Sequence, residues 1–371
     1  MKKVLFTISF LFVSKFAIGQ TDNLKLSAEK QNYEVAFKEL RGMLKDSIPM
    51  SFKKAVFLTE NAYLDNDLSY DAFNNRIQHL VMLCKDMANV ATLYYDEKDK
   101  NEVAKYWSVY MVMKHRQTYE LDSNNQRKPF TPFIYDFDDF WGENDWTKMF
   151  VSKLMATAKG NCHSLPFLYK ILCEELEAKA YLSMAPNHIY IKHWTKKTGW
   201  FNTELTSGYF PIDAWIMASG YVHLSAVQNR IYMDTLDSKQ SIAVCLVDLA
   251  KGYERKFGLK ADLNFIEKSS QLALEYYPNY VNALILKAET MKKRFELYMT
   301  QHKASSPSAV FNIPEAKLLF EEMEKLYFHI HQLGYRMMPK EMYIAWLDEL
   351  KQEKEKYLNK QITNGFNLDK K

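Results

Sequence analysis

One stretch constrains this chain more than any other, residues 160–204. It reads Gly160-Asn161-Cys162-His163-Ser164-Leu165-Pro166-Phe167-Leu168-Tyr169, then an apolar run, then Pro186-Asn187-His188-Ile189-Tyr190-Ile191, then Gly199-Trp200-Phe201-Asn202-Thr203-Glu204. Gly and Asn tolerate positive φ and end helices, so Lys159-Gly160-Asn161 is turn chemistry. Over residues 162–177 the apolar positions Leu165, Leu168, Ile171, Leu172 and Leu176 recur at helical spacing. Pro166 falls in the first turn, where a missing N–H costs little. Cys162 is therefore expected at a helix N-terminus, whose free N–H groups and dipole favour a thiolate. The same N–H groups can hold a developing oxyanion.

Residues 180–184 and 188–194 read as short strands, 195–199 as a hairpin loop, and 200–205 as the returning strand. Side chains alternate along a strand, so Asn202 and Glu204 share a face. An even hairpin register puts His188 on that face, close to opposite Glu204. Thiol, imidazole and orienting acid then follow the nucleophile–base–orienter logic of thiol catalysis. Taken singly, each residue has a plainer role. A cysteine in an apolar helix is a small buried hydrophobe, a strand-opening histidine is structural, Glu204 is a surface residue and Asn202 a turn cap. The combination, in this order and on these elements, points to chemistry.

These residues resemble a family. Gly-Asn-Cys-His-Ser-Leu-Pro-x-Leu-Tyr, Ala-Pro-Asn-His-x-Tyr-Ile-Lys and Gly-Trp-Phe-Asn-Thr-Glu are similar to the transglutaminase-like core, in a bacterial branch where tetratricopeptide-type helices follow it. The resemblance covers roughly residues 135–293. It implies a papain-like α+β fold and a Cys-His-acid triad, with Cys162 as nucleophile and His188 as base. The family motif ends Trp-x-x-x-Asp, and here Trp200-Phe201-Asn202-Thr203-Glu204 carries Glu at that place. Glu204 and Asn202 are both candidates for the third role. The resemblance also makes Trp146 the match for the aromatic that lines the family's cleft; Asn161 and Asn187, flanking the Cys and His, are expected beside it.

The rest of the chain supplies context. Of 371 residues, 47% are hydrophobic and 15% aromatic, enough for one large domain or two smaller ones. Only 11 Gly and 10 Pro favour helices over a turn-rich β architecture. Residues 1–19 read as a signal peptide: Lys2-Lys3, an apolar run, then Ala17-Ile18-Gly19. That run is too short to span a membrane and is interrupted by Lys15. Export to the periplasm or outside the cell is therefore expected, with no transmembrane segment in the mature chain. The first twenty residues hold three of the 49 Lys and Arg and none of the 45 acids, so the remainder carries a net charge of +1. That balance points to no nucleic-acid surface.

Cys84, Cys162, Cys173 and Cys245 are expected free. Cys162 and Cys173, eleven residues apart on one helix, lie roughly 16 Å apart, beyond disulfide reach. No CxxC or HExxH occurs, so no metal site and no cofactor is expected. Residues 33–44, 52–62, 70–95 and 104–119 carry helical periodicity and read as an N-terminal scaffold lobe. Between Phe130 and Trp146, acids and aromatics are interleaved, which suits either rings buried on the core or a rim of the cleft. Asp145 is expected to cap a helix over 146–157, and Asp213 to cap another. Residues 265–277 and 281–293, joined by Pro278-Asn279-Tyr280, resemble one tetratricopeptide unit, which must pack on a neighbour because it cannot bury its own face.

The expected organisation is a signal peptide (1–19), an N-terminal helical region (20–120), a transglutaminase-like core (121–240) with a small antiparallel sheet, tetratricopeptide-like helices (241–300) and a helical extension (301–371). The fold class is α+β, mainly helical. Two functions follow. One is an exported thiol enzyme acting on an amide bond of a peptide or protein substrate, as peptidase, amidase or acyltransferase. The other is an inactive core whose C-terminal helices bind a protein partner.

Overall fold

The structure is a computed structural model. It describes the backbone of residues 5–90, 93–115, 117–121 and 126–356, and side chains over 24–89, 93–115 and 130–349. The whole of the leader expected over residues 1–19, and the chain beyond residue 356, lie outside the described side chains; the backbone from Leu5 belongs to the first helix.

Among the described residues the chain is α+β and mainly helical. Helices α1 (Leu5–Leu44), α2 (Phe52–Tyr63), α3 (Tyr70–Val90) and α4 (Lys100–Lys114) come first. Ser51 caps α2, its Oγ accepting from Lys54 N at 3.2 Å. The periodicity that suggested helix to residue 119 stops earlier, because α4 gives way at His115 to extended backbone and then to the hairpin β1 (Gln117–Leu121) and β2 (Gln126–Phe130). Two-residue strands β3 (Ile134–Tyr135) and β4 (Lys159–Gly160) pair in parallel. That pairing ties the aromatic segment to the turn before Cys162, with Asp136 N donating to Gly160 O at 2.7 Å.

Between them the single helix expected over 146–157 is broken. Asp145 Oδ1 does accept from Thr147 N at 3.0 Å, but it starts only a 3₁₀ turn (Trp146–Met149). Phe150 is extended, at φ −89° and ψ 138°, and α5 (Val151–Thr157) begins after it. The buried Glu60 carboxylate of α2 then takes the first free N–H groups of α5, at 2.6 Å to Val151 N and 3.0 Å to Ser152 N.

Helix α6 (Ser164–Glu175) packs against the antiparallel sheet β5 (Tyr181–Ala185), β6 (His188–Thr195) and β7 (Gly199–Thr203), in that order. Helices α7 (Asp213–Ser219) and α8 (Leu224–Gln228) follow. Asp213 is the first residue of α7 rather than its cap, and its carboxylate pairs with Lys192 at 2.8 Å. Then come α9 (Ser238–Phe257), α10 (Leu263–Tyr276), α11 (Val281–Gln301), α12 (Pro314–Gln332) and α13 (Lys340–Lys356).

The helix–turn–helix read from the sequence is α10 and α11. It solves its burial problem on both sides, since α10 lies on α9 and α11 lies on α12. Helix α9 is the hub, packed also on α1 and α2, with Ile242, Ala243, Leu246, Leu249 and Ala250 fully buried. One core runs from Tyr33 to Leu347, so the N-terminal helices, the sheet and the C-terminal helices share an interior, while Phe295, Val310 and Ala316 form a small separate cluster. No helix among the described residues is long and apolar enough to cross a membrane.

Candidate active site

Cys162 lies in the turn between β4 and α6, two residues before the helix begins. The Asn161 side chain builds that turn. Its Oδ1 accepts from His163 N and Ser164 N at 3.0 Å each, and its Nδ2 donates to Phe140 O at 2.9 Å. At 1% exposure, with its side chain bonded within the turn that leads into α6, Asn161 is not among the residues that line the cavity at Cys162 and His188. Gly160 sits in close packing: a Cβ there would lie 2.7 Å from both Leu154 Cδ1 and Ser164 Oγ and would displace those side chains. The Cys162 N–H meets no acceptor among the described residues, which leaves a free donor next to its own sulfur.

His188 opens β6. The β6–β7 register pairs Lys192 with Asn202 and Ile191 with Thr203, so even positions of both strands share a face. Glu204, just past β7, reaches back along that face, and its Oε2 lies 2.5 Å from His188 Nε2. A tight loop fixes the carboxylate: Thr206 N donates to Oε1 at 2.7 Å, and Glu204 N and O exchange hydrogen bonds with Tyr209. Both partners are buried, His188 at 3% and Glu204 at 2% exposure. Burial opposes charge on Glu204, but His188 and the Thr206 bonds outweigh it and its pKa is lowered. Burial likewise opposes the imidazolium, yet Glu204 and Cys162 outweigh it and the His188 pKa rises.

Asn202, the other candidate for the third role, lies on the same face but bonds other partners. Its Nδ2 donates to Pro211 O at 2.9 Å and Asp213 Oδ1 at 2.8 Å, so it pins the chain that follows the sheet. Of the two, only Glu204 touches the imidazole.

Two residues that the motif reading did not single out complete the site. Tyr343, fully buried on α13, places its Oη 3.2 Å from Cys162 Sγ and 3.1 Å from His188 Nδ1. One proton arrangement serves the contacts that link Glu204, His188, Tyr343 and Cys162. Glu204 accepts from Nε2–H, Nδ1–H donates to Tyr343 Oη, and the tyrosine O–H donates to a Cys162 thiolate. His163 is the second. Its Nδ1 lies 2.9 Å from Met149 O and its Nε2 2.8 Å from Asp248 Oδ2. Both neighbours are acceptors, so both ring nitrogens carry protons and His163 is a fixed cation beside Cys162. Burial opposes that charge; Asp248 outweighs it, and the His163 pKa rises. Burial also opposes a thiolate at Cys162, but His188, Tyr343 and His163 together lower its pKa below the ordinary thiol value.

A cavity of about 550 Å³ opens onto Cys162 and His188 from the side of α9. Trp146 and Asn187 line it, with Phe140 and Trp141 beside them. Asn187 adopts φ +55°; its backbone oxygen is 3.6 Å from Cys162 Sγ, and its Nδ2 donates to Met338 O at 3.3 Å. The aromatic segment thus serves both roles offered for it. Phe133 and Tyr135 are buried in the core, while Phe140 and Trp141 stand against the Tyr343 ring at 5.5 and 5.8 Å and reach the cavity.

The other cysteines, Cys84, Cys173 and Cys245, are buried and free, their thiol pKa values raised by burial. Among the described residues no group of three or more His, Cys, Asp and Glu could hold a metal ion. Compared with protein-family models, curated proteins and solved structures, the chain matches none.

Proposed function

We propose that this chain is an exported transglutaminase-like thiol enzyme acting on amide bonds, as a peptidase, amidase or acyltransferase. One observation carries the reading: a buried thiol, imidazole and carboxylate in hydrogen-bonded sequence, with a free backbone N–H at the thiol and a cavity leading to it. In this reading the Cys162 thiolate attacks the amide carbon, and the carbonyl electron pair moves to oxygen, facing the Cys162 N–H. The C–N bond then breaks as the His188 imidazolium gives its Nδ1 proton to the leaving amine, leaving a thioester on Cys162. Water or a second amine, deprotonated by His188, attacks that thioester and releases the thiolate.

A second reading, an inactive core serving as a binding scaffold, is favoured by a different observation: the Tyr343 hydroxyl of α13 already occupies the hydrogen-bonding positions of both Cys162 and His188. Iodoacetamide labelling of Cys162 against pH, in the wild type and in Cys162→Ala and His188→Ala, separates the two. The enzyme reading expects a midpoint well below the free-thiol value of about 8.5, shifted upward without His188. Labelling that is absent, or indifferent to His188, overturns it.

A further inference from the structure

The cavity that leads to Cys162 has an unbalanced charge on one wall. Helix α9 lines it with Asp248, Lys251, Glu254 and Arg255, and the spacing of 248, 251 and 255 sets those three on one stripe of the helix. Both acids are already engaged. Asp248 holds the His163 imidazolium at 2.8 Å, and Glu254 holds Lys293 of α11. The cations are not matched in this way. Lys251, half-buried in the wall, makes no hydrogen bond and no ion pair among the described residues. Arg255 lies over the Trp146 ring, 4.9 Å from its centroid, and its Nη1 donates to a backbone oxygen, Glu143 O, at 3.1 Å. Among the described residues no carboxylate meets either group within ion-pair distance. Burial draws the Lys251 pKa below its ordinary value, against the pull of Asp248 and Glu254.

The remaining lining is largely apolar, with Trp146, Met149, Ile189 and Val281 among it. Low-dielectric walls focus the field of a single sign of charge within a cleft. We propose that the substrate reaching Cys162 carries a carboxylate, received by Lys251 and Arg255 while its apolar part lies against Trp146. This rests on the thiol-enzyme reading above and names the substrate class for it. The carboxylate can come from an acidic side chain or from a chain terminus, and the chemistry at Lys251 and Arg255 is the same.

The test uses haloacetyl reagents on the full chain. N-iodoacetyl-glutamic acid α-amide and N-iodoacetyl-glutamine α-amide differ only in a side-chain carboxylate. N-iodoacetyl-glycine and N-iodoacetyl-glycinamide differ only in a terminal one. Rates of Cys162 labelling are divided by that of iodoacetamide in the same protein. The carboxylate member of at least one pair is expected to react about tenfold faster than its amide. That preference is expected to fall to near unity in Lys251→Met and to shrink in Arg255→Met, an exposed position whose substitution spares the core. The pair that shows the preference identifies the source of the carboxylate. Iodoacetamide alone reports the thiolate, so if it fails to label Cys162 the enzyme reading falls. If it labels Cys162 but neither pair favours the carboxylate, or the preference survives both substitutions, the anionic-substrate inference falls by itself.

Discussion

Tyr343 Oη stands 3.2 Å from Cys162 Sγ across 181 positions of sequence. The contact is held from several sides. Trp346, one turn further along α13, sets its ring edge-on to His188 at 4.8 Å and donates from Nε1 to Ser219 Oγ at 3.0 Å. At the start of α13, Lys340 pairs with Glu143 at 3.0 Å and lies over Trp141. The last described helix therefore belongs to the Cys162 site.

Tyr343→Phe keeps the ring and deletes the donor. A hydrogen bond to a charged group contributes roughly 1.5–3 kcal/mol, so the Cys162 labelling midpoint is expected to rise by about 1–2 pH units. An unchanged midpoint in the iodoacetamide profile would mean that the hydroxyl does not stabilise the thiolate.

Glu204 works by reach as well as charge. Continued past β7, the register sets Glu204 across from Tyr190, two residues from His188 along β6. Such diagonal neighbours are roughly 7–8 Å apart at the backbone, a span that favours the longer glutamate arm. Glu204→Asp is expected to raise the labelling midpoint although it keeps the charge. Glu204→Gln, which strands a buried imidazolium, is expected to cost about 3–5 kcal/mol at neutral pH. Because the folded Glu204 pKa is lowered from 4.5, its contribution is present above that value and lost as pH falls through the lowered one. Urea unfolding should show wild type and Glu204→Gln converging in acid; a constant gap would contradict the ion pair.

His163→Gln removes the fixed cation beside the sulfur but leaves the Cys162–His188–Glu204 sequence whole. The labelling midpoint is expected to rise by less than in His188→Ala, by about half a unit to one unit. A shift as large as that of His188→Ala would assign His163, not His188, as the main partner of the thiolate.

Glu60 titrates in the opposite sense from Glu204. Burial raises its pKa from 4.5 to about 7, although Ser152 and Val151 hydrogen bonds oppose the rise. Between those values the folded state holds more protons than the unfolded state, so Glu60 makes stability fall as pH climbs from 4.5 to 7. Wild type should lose on the order of 1–3 kcal/mol over that range relative to Glu60→Gln. Parallel urea-midpoint curves for the two proteins would rule this out.

Local chemistry determined much of this molecule. The helix after Cys162, the three strands, and the α10–α11 pair were legible because each depends on residues within a dozen positions: apolar spacing and strand alternation. The turn read at Lys159-Gly160-Asn161 was misplaced: Lys159 and Gly160 form β4, and the left-handed residue that ends α5 is Ala158. Parity along β6 and β7 also put His188, Asn202 and Glu204 on one face from sequence alone. Parity could not choose between Asn202 and Glu204. That depended on where the chain turns after β7, which bends Glu204 toward His188 and leaves Asn202 to Pro211 and Asp213.

Nor could local pattern break the 146–157 helix, because Glu60, some ninety residues earlier, holds the N–H groups that restart it at Val151. His163 was visible beside Cys162, but its charge was not, since Asp248 arrives from α9. Tyr343 carries no local mark at all: one tyrosine among 24, on an ordinary amphipathic helix. The short-range periodicities of the backbone are written in neighbouring residues. The partners of a buried proton come from whichever elements the shared core brings together, and only the tertiary structure decides that.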